Sequence, residues 1–257
     1  MSEDDRFSAQ DLGATISTDQ ALTVKILRLA NSTFFGFPRR ITTVREAIVL
    51  LGFREVRSTA LAACLITDGE RATHVDYQRF WLNSVIVGML AEVLAEAERR
   101  GEDEALTAGL LYNVGRLALD QHRPDLLGES MRTARDAGVS LHEAQKRRLG
   151  FTDAALGEAM VRQWNFPVPL CEAVAHHAGS LRRLDARCGL DALVVRARRY
   201  AMAHGITDSV DEPSGLKPDS EWIVPPIKTA LERRGGLAGV RKRAESLLAH
   251  ALDAPIV

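Results

Sequence analysis

Cysteine is scarce in this chain of 257 residues: Cys64, Cys171 and Cys188 make three, and no two stand in a Cys-x-x-Cys spacing. An odd, scattered set gives neither a disulfide framework nor the ligand spacing of a structural zinc site. A reducing cytoplasm is the expected compartment. Aromatic residues are only 5% of the chain, and Val and Ile are dispersed rather than alternating, so the signature of half-buried strands is missing. An excess of either charge is missing too. Thirty-three basic against thirty-four acidic residues leave a formal charge of −1, which excludes a whole-molecule field that would draw in nucleic acid or an anionic membrane. No run reaches the roughly 18 apolar residues of a membrane span. The stretch Met1 to Arg6 lacks the apolar core of a secretion signal. The composition that remains, 46% hydrophobic and 26% charged, is that of an ordinary globular chain long enough to bury a core.

Helix signals are abundant. Ser17-x-x-Gln20, Thr43-x-x-Glu46 and Ser140-x-x-Glu143 each set a hydroxyl three residues before a Glu or Gln, the capping box that satisfies orphan amides at a helix start. Leu22, Ile26, Leu29 and Ala30 share a face after the first box, and Val44 to Leu51 forms a short helix with Gly52 behind it. A long helix from Asp76 to Arg100 turns Phe80, Trp81, Val85, Met89, Val93 and Leu94 inward, with Gly101 as its stop. Helices are further predicted over Asp103–Leu119, Pro124–Ala137, Leu141–Leu149, Asp153–Trp164, Pro167–His177, Leu190–His204, Ile227–Arg234 and Leu237–Leu252. The polar stretch Asp208–Pro226, with four prolines and Gly215, is the expected loop. The expectation is an all-α, multi-helix globule.

The densest signal runs from Leu22 to Leu51, LTVKILRLANSTFFGFPRRITTVREAIVLL, closed by Gly52. With Phe80-Trp81, the segment AGLLYNVGRL (Ala108–Leu117), the stretch Leu149–Gly157 and the pair His176-His177, it resembles the HDOD family, the HD-related output domains of bacterial signalling proteins. The likeness covers roughly residues 7–204. It implies a compact HD-domain-like fold with an N-terminal helical part at about 7–66 and an HD-like part at about 76–204, followed by a loop and C-terminal helices over 205–257. Members of the family carry a helix before the segment matching Phe7–Leu29, and no attached input or output domain is recognised. The Leu12–Leu29 side is therefore expected to expose apolar surface.

The catalytic relatives of such a fold, the HD and HD-GYP phosphohydrolases, hold divalent metals with histidines and aspartates on neighbouring helices. The resemblance places Asn83 at the first ligand histidine and Tyr112-Asn113 at the His-Asp pair. Asp153 takes the place of a further histidine, and Arg198 that of a late aspartate. Amides and a phenol are poor substitutes for imidazole and carboxylate, and a guanidinium repels a cation. No metal, no cofactor and no catalytic residue is therefore expected. Two adjacent helical histidines point about 100° apart, so His176 and His177 cannot chelate one ion by themselves; an enzyme would have to recruit Asp153, His142 or Glu172. Otherwise the pair is a buried, hydrogen-bonded element holding Trp164, or part of a vestigial anion pocket with Asn83, Tyr112, Asn113, Arg116, Asp153 and Arg198.

The remaining features are read as structural. Phe34, Phe35 and Phe37 cap the core around the Gly36 and Pro38 bend, and the arginine runs are interleaved with acids as solvated helix faces. Cys171 lies among apolar residues as an inert thiol. The resulting expectation is a non-catalytic regulatory or protein-interaction module in signal transduction. Its partners would be other signalling proteins or a second copy of itself as a homodimer, with no nucleic acid and no membrane. A sensor of nucleotides or small anions, cyclic di-GMP being the ligand that the resemblance suggests, and a divergent metal-dependent phosphohydrolase are the alternatives.

Overall fold

In the computed structural model of the chain, the described residues are 74–163, 166–179, 189–208 and 225–252. The capping boxes at Ser17 and Thr43, the aromatic turn, the Leu12–Leu29 face, Trp164 and most of the Asp208–Pro226 loop lie outside them. Every regular element among the described residues is an α-helix, as caps and periodicity predict. The Asp76 carboxylate accepts the Arg79 amide at 3.1 Å and opens α1 (Tyr77–Ala97). The six residues expected to face inward are all buried, and so are Ile86, Val87 and Leu90. The helix is therefore apolar almost all round. It is long and apolar enough to cross a membrane by length and composition, with a mean hydropathy of 1.4, yet 78% of that window is buried inside the protein. The apolar surface serves as core: α2 (Glu102–Leu111), α8 (Leu190–Ala203) and α9 (Pro225–Arg233) all lie against α1.

Two boundaries differ from the sequence expectation. The stop of α1 is not Gly101 but Arg99, which takes the left-handed backbone at φ 56° while the Arg100 amide reaches back to Ala95 O at 2.9 Å. Gly101 instead precedes α2 with an ordinary extended backbone. The single helix expected over Asp103–Leu119 is broken at Tyr112-Asn113 into α2 and α3 (Val114–His122), because Asn113 leaves the helical region at φ −109°, ψ 17°. One compact unit runs from Gly69 to Val240, and a second comprises Met1–Asp68 with Arg241–Val257. Within the first unit, Glu96 of α1 binds Arg233 at 2.9 Å and also Arg234, so α9 is tied to the core helix. Helix α10 spans Gly236–Leu252.

The middle helices follow their predicted spans closely. Pro124 starts α4 (Pro124–Ala137), and left-handed Gly138 ends it. The Ser140 hydroxyl caps α5 (Leu141–Leu149) by accepting the Glu143 amide at 3.2 Å. The carboxylate of Glu143 turns to Arg147 rather than back to the cap. Next come α6 (Asp153–Gln163) and α7 (Val168–His176). Two pairs of glycines set the closest helix crossings. A Cβ on Gly109 of α2 would stand 2.5 Å from Gly88 Cα of α1, and one on Gly115 of α3 would stand 2.0 Å from the Asp153 carbonyl oxygen of α6. No side chain larger than hydrogen fits either contact.

Candidate functional site

The Gly115 contact positions a buried polar cluster. Arg116, the next residue of α3, is 1% exposed, and its Nε donates to Asp153 Oδ2 at 2.7 Å at the start of α6. Its Nη1 donates to Asp208 Oδ2, which brings in the chain just beyond α8. The same chain segment is stitched to α1: Arg79 Nη2 donates to Thr207 Oγ1 at 2.6 Å, and Asn83 Nδ2 to Ile206 O at 3.2 Å. Gln145 of α5 accepts the Asp153 amide at 2.9 Å. Asp153 and Asp208 are 1% and 7% exposed, so one guanidinium bridges two carboxylates that water barely reaches.

Asn83, Tyr112 and Asn113 form the neighbouring part of the cluster. The Tyr112 hydroxyl donates to Asn83 Oδ1, and the Ser84 hydroxyl, whose one proton is shared with Phe80 O at 2.9 Å, lies 3.1 Å from Asn113 Oδ1. All four residues are buried. Both amide oxygens that might face a cation already accept a hydrogen bond, and Asn83 Nδ2 is committed to the backbone. These positions do not fit the metal that the HD pattern would place there.

The adjacent histidines part company. His176 is 51% exposed, with Nδ1 3.2 Å from Asp191 Oδ2. This corrects both the expectation of a buried pair and the inclusion of His176 in an inward pocket; one residue of helical rotation carries it to the outside. His177 is 1% exposed, just past α7, with its ring edge-on to Tyr112 at 5.0 Å and to His142 at 5.4 Å. Its Nδ1 lies 2.7 Å from Val174 O, so this nitrogen carries the proton and Nε2 carries the lone pair. Burial, and after it the charges of His142 and Arg198, push the His177 pKa well below the usual imidazole value. Arg198, on α8, is 7% exposed.

Asp153 experiences the opposite balance. Burial works against its ionisation, but the Arg116 guanidinium, and after it His142, hold its carboxyl well below the usual carboxylate range. Its second oxygen, Oδ1, lies 2.8 Å from His142 Nε2, a side-chain hydrogen bond that contributes to the lowering. His177 Nε2, Asn113 Nδ2 and Gln145 Nε2 are buried atoms without a hydrogen-bond partner.

Of the residues singled out from sequence, Asn83, Tyr112, Asn113, Arg116, Asp153 and His177 come together. Glu172 faces solvent on α7. Asp208, Ser84 and Gln145 escaped the sequence reading, since a single Asp at the head of a polar loop and isolated Ser or Gln residues carry no spacing signal. Cys171 is buried with its thiol pushed up by that burial, as an inert thiol should be.

Comparison with known proteins agrees with this architecture. The family model described as HDOD domain matches residues 1–180. A curated protein of Treponema pallidum (strain Nichols), itself uncharacterised, is 27% identical over 177 residues, covering 65% of this chain and 33% of that protein. The chain thus spans about a third of that relative. Among solved structures, an HDOD domain protein of unknown function from Geobacter sulfurreducens superposes with a TM-score of 0.67 at 20% identity, covering 97% of this chain and 86% of the other. A Shewanella amazonensis protein provisionally described as a phosphohydrolase gives 0.66 at 20% identity, with 96% and 86% covered. A Marinobacter aquaeolei protein provisionally described as a signal transduction protein gives 0.66 at 19% identity, with 96% and 55% covered. At these identities the structures share the fold.

Proposed function

Because the chain belongs to the HDOD family, we propose that it is a regulatory module of signal transduction that works by binding another protein and does not itself catalyse hydrolysis. One observation carries this reading. The positions that the resemblance assigns to the metal ligands of an HD phosphohydrolase carry Asn83, Tyr112 and Asn113, hydrogen-bonded to their neighbours, beside a buried Arg116 bridging Asp153 and Asp208. Such an arrangement rigidifies a fold. The partner is another signalling protein or a second copy of this chain, and a cytoplasmic setting fits the thiol content.

The sensor alternative is weakened by the same geometry, since Nε and Nη1 of Arg116 are spent on carboxylates and His176 points elsewhere. The test is direct. The full chain is assayed for hydrolysis of a generic phosphodiester and of cyclic di-GMP with manganese, iron, magnesium or zinc, and its mass in solution is measured alone and with candidate signalling proteins of its source. No turnover, with a defined homo- or heteromeric complex, supports the reading; metal-dependent turnover overturns it.

A further inference from the structure

We propose that His142 Nε2, Asp153 Oδ1 and His177 Nε2 form a binding site for one divalent transition-metal ion such as zinc, in which His142 joins two positions, Asp153 and His177, that the HD pattern marks. His142 corresponds to none of the family positions identified above, so this combination of ligands is particular to this chain. The three atoms lie within 4.8 Å of one another, on the first turn of α5, the start of α6 and the end of α7. His142 Nε2 and Asp153 Oδ1 face each other at 2.8 Å, and His177 Nε2 is a buried polar atom with no hydrogen-bond partner, an orphan that is destabilising unless something answers it. Asp153 and His177 are only 1% exposed as side chains or residues, and His142 16% as a side chain.

The ring orientation of His177 supplies an independent argument. With Nδ1–H given to Val174 O at 2.7 Å, its Nε2 presents a bare lone pair into the cluster. Ligating histidines are held in the same way, the far nitrogen donating to a backbone carbonyl. Asp153 is held as well, its backbone amide by Gln145 and its Oδ2 by Arg116. A tetrahedral zinc with bonds of about 2.1 Å keeps its donors about 3.4 Å apart. The closest pair here stands at 2.8 Å and no pair exceeds 4.8 Å, so side-chain shifts below about 1 Å would complete the geometry.

Two imidazoles and one carboxylate suit zinc, cobalt or nickel better than magnesium or calcium, which require more oxygens. Arg116 does not disqualify the site, because Asp208 shares its charge. Arg198, whose charge also bears on His177, opposes the ion and keeps the affinity modest. Binding of this kind would staple three helices together without chemistry.

The experiment uses the full chain, stripped with a chelator and titrated with zinc by calorimetry and with cobalt by visible absorption. The expected result is one ion per chain with the absorption of nitrogen and oxygen ligation. His142→Gln should lower the affinity at least about tenfold, His177→Gln should do the same, and His176→Gln should leave it unchanged. Failure of zinc and cobalt to bind, binding that survives His142→Gln, or binding that follows His176 would each overturn the proposal. His142, being partly exposed, keeps the test decisive if His177→Gln does not fold. Turnover by the zinc-loaded protein would overturn the non-catalytic reading and leave this site standing, so the two are separable.

Discussion

Replacing Arg116 by Met keeps the length and apolar stem of the side chain but removes the one charge between Asp153 and Asp208. Breaking a buried ion pair by deleting one partner costs about 3–5 kcal/mol, because the remaining charge stays in a poor solvent. An upper limit for each stranded carboxylate follows from proton chemistry. A stranded carboxylate can always take up a proton instead, and for a carboxyl of ordinary pKa near 3.9 this costs about 4 kcal/mol at pH 7 and about 2 kcal/mol at pH 5.5. Asp153, 1% exposed, cannot escape to solvent, so it should choose protonation. The variant should therefore be less stable than the parent by about 3–4 kcal/mol at pH 7, and by only about 2 kcal/mol at pH 5.5. Urea unfolding followed by helical circular dichroism, with a chelator present, should show the midpoint falling by about 1–2 M at pH 7. A loss below about 1 kcal/mol, or one that does not shrink with acidity, would show that Arg116 does not hold a buried dicarboxylate.

Acid itself should destabilise the chelated parent. His177 is neutral in the fold with a lowered pKa, whereas the unfolded chain binds its proton near pH 6.5; the unfolded state gains protons first, so stability falls as pH drops below about 6.5, by at most about 1.4 kcal/mol per unit. A His177→Phe variant should lose that slope between pH 6.5 and 5, and an unchanged slope in urea titrations would refute the assignment. Gly115→Ala should cost about 2–3 kcal/mol or more and disturb the Arg116 contact, because its methyl group would meet the Asp153 carbonyl at 2.0 Å; a melting temperature unchanged within a degree would contradict the close crossing. Arg99→Gly should raise stability by about 0.5–1 kcal/mol by relieving the left-handed backbone at the end of α1, a gain readable as a higher thermal midpoint.

Helix existence was legible in the sequence because caps and periodicity are local. Pro124, Ser140 and the glycines after α4 and α5 punctuate the chain where the structure does. The break at Tyr112-Asn113 was not legible, since the contact Asn113 makes there, with Ser84, is non-local. The site was legible only in part. Spacing and resemblance indicated Asn83, Tyr112, Asn113, Arg116, Asp153 and His177, but adjacency could not say that His176 turns outward. Asp208 lies 92 positions from Arg116, a separation that no pattern in one sequence reveals. His142 was visible only as a histidine near other candidates; what distinguishes it is the 2.8 Å approach to Asp153, a consequence of how α5 meets α6.

The polar cluster around Arg116 is proposed not to hydrolyse phosphate esters. Steady-state hydrolysis of a generic phosphodiester and of cyclic di-GMP by the full chain, run with each of manganese, iron, magnesium and zinc, tests this most directly. The predicted result is a rate equal to that of buffer with metal alone. A rate that saturates with substrate, requires one of these metals and disappears in His177→Gln would contradict the account.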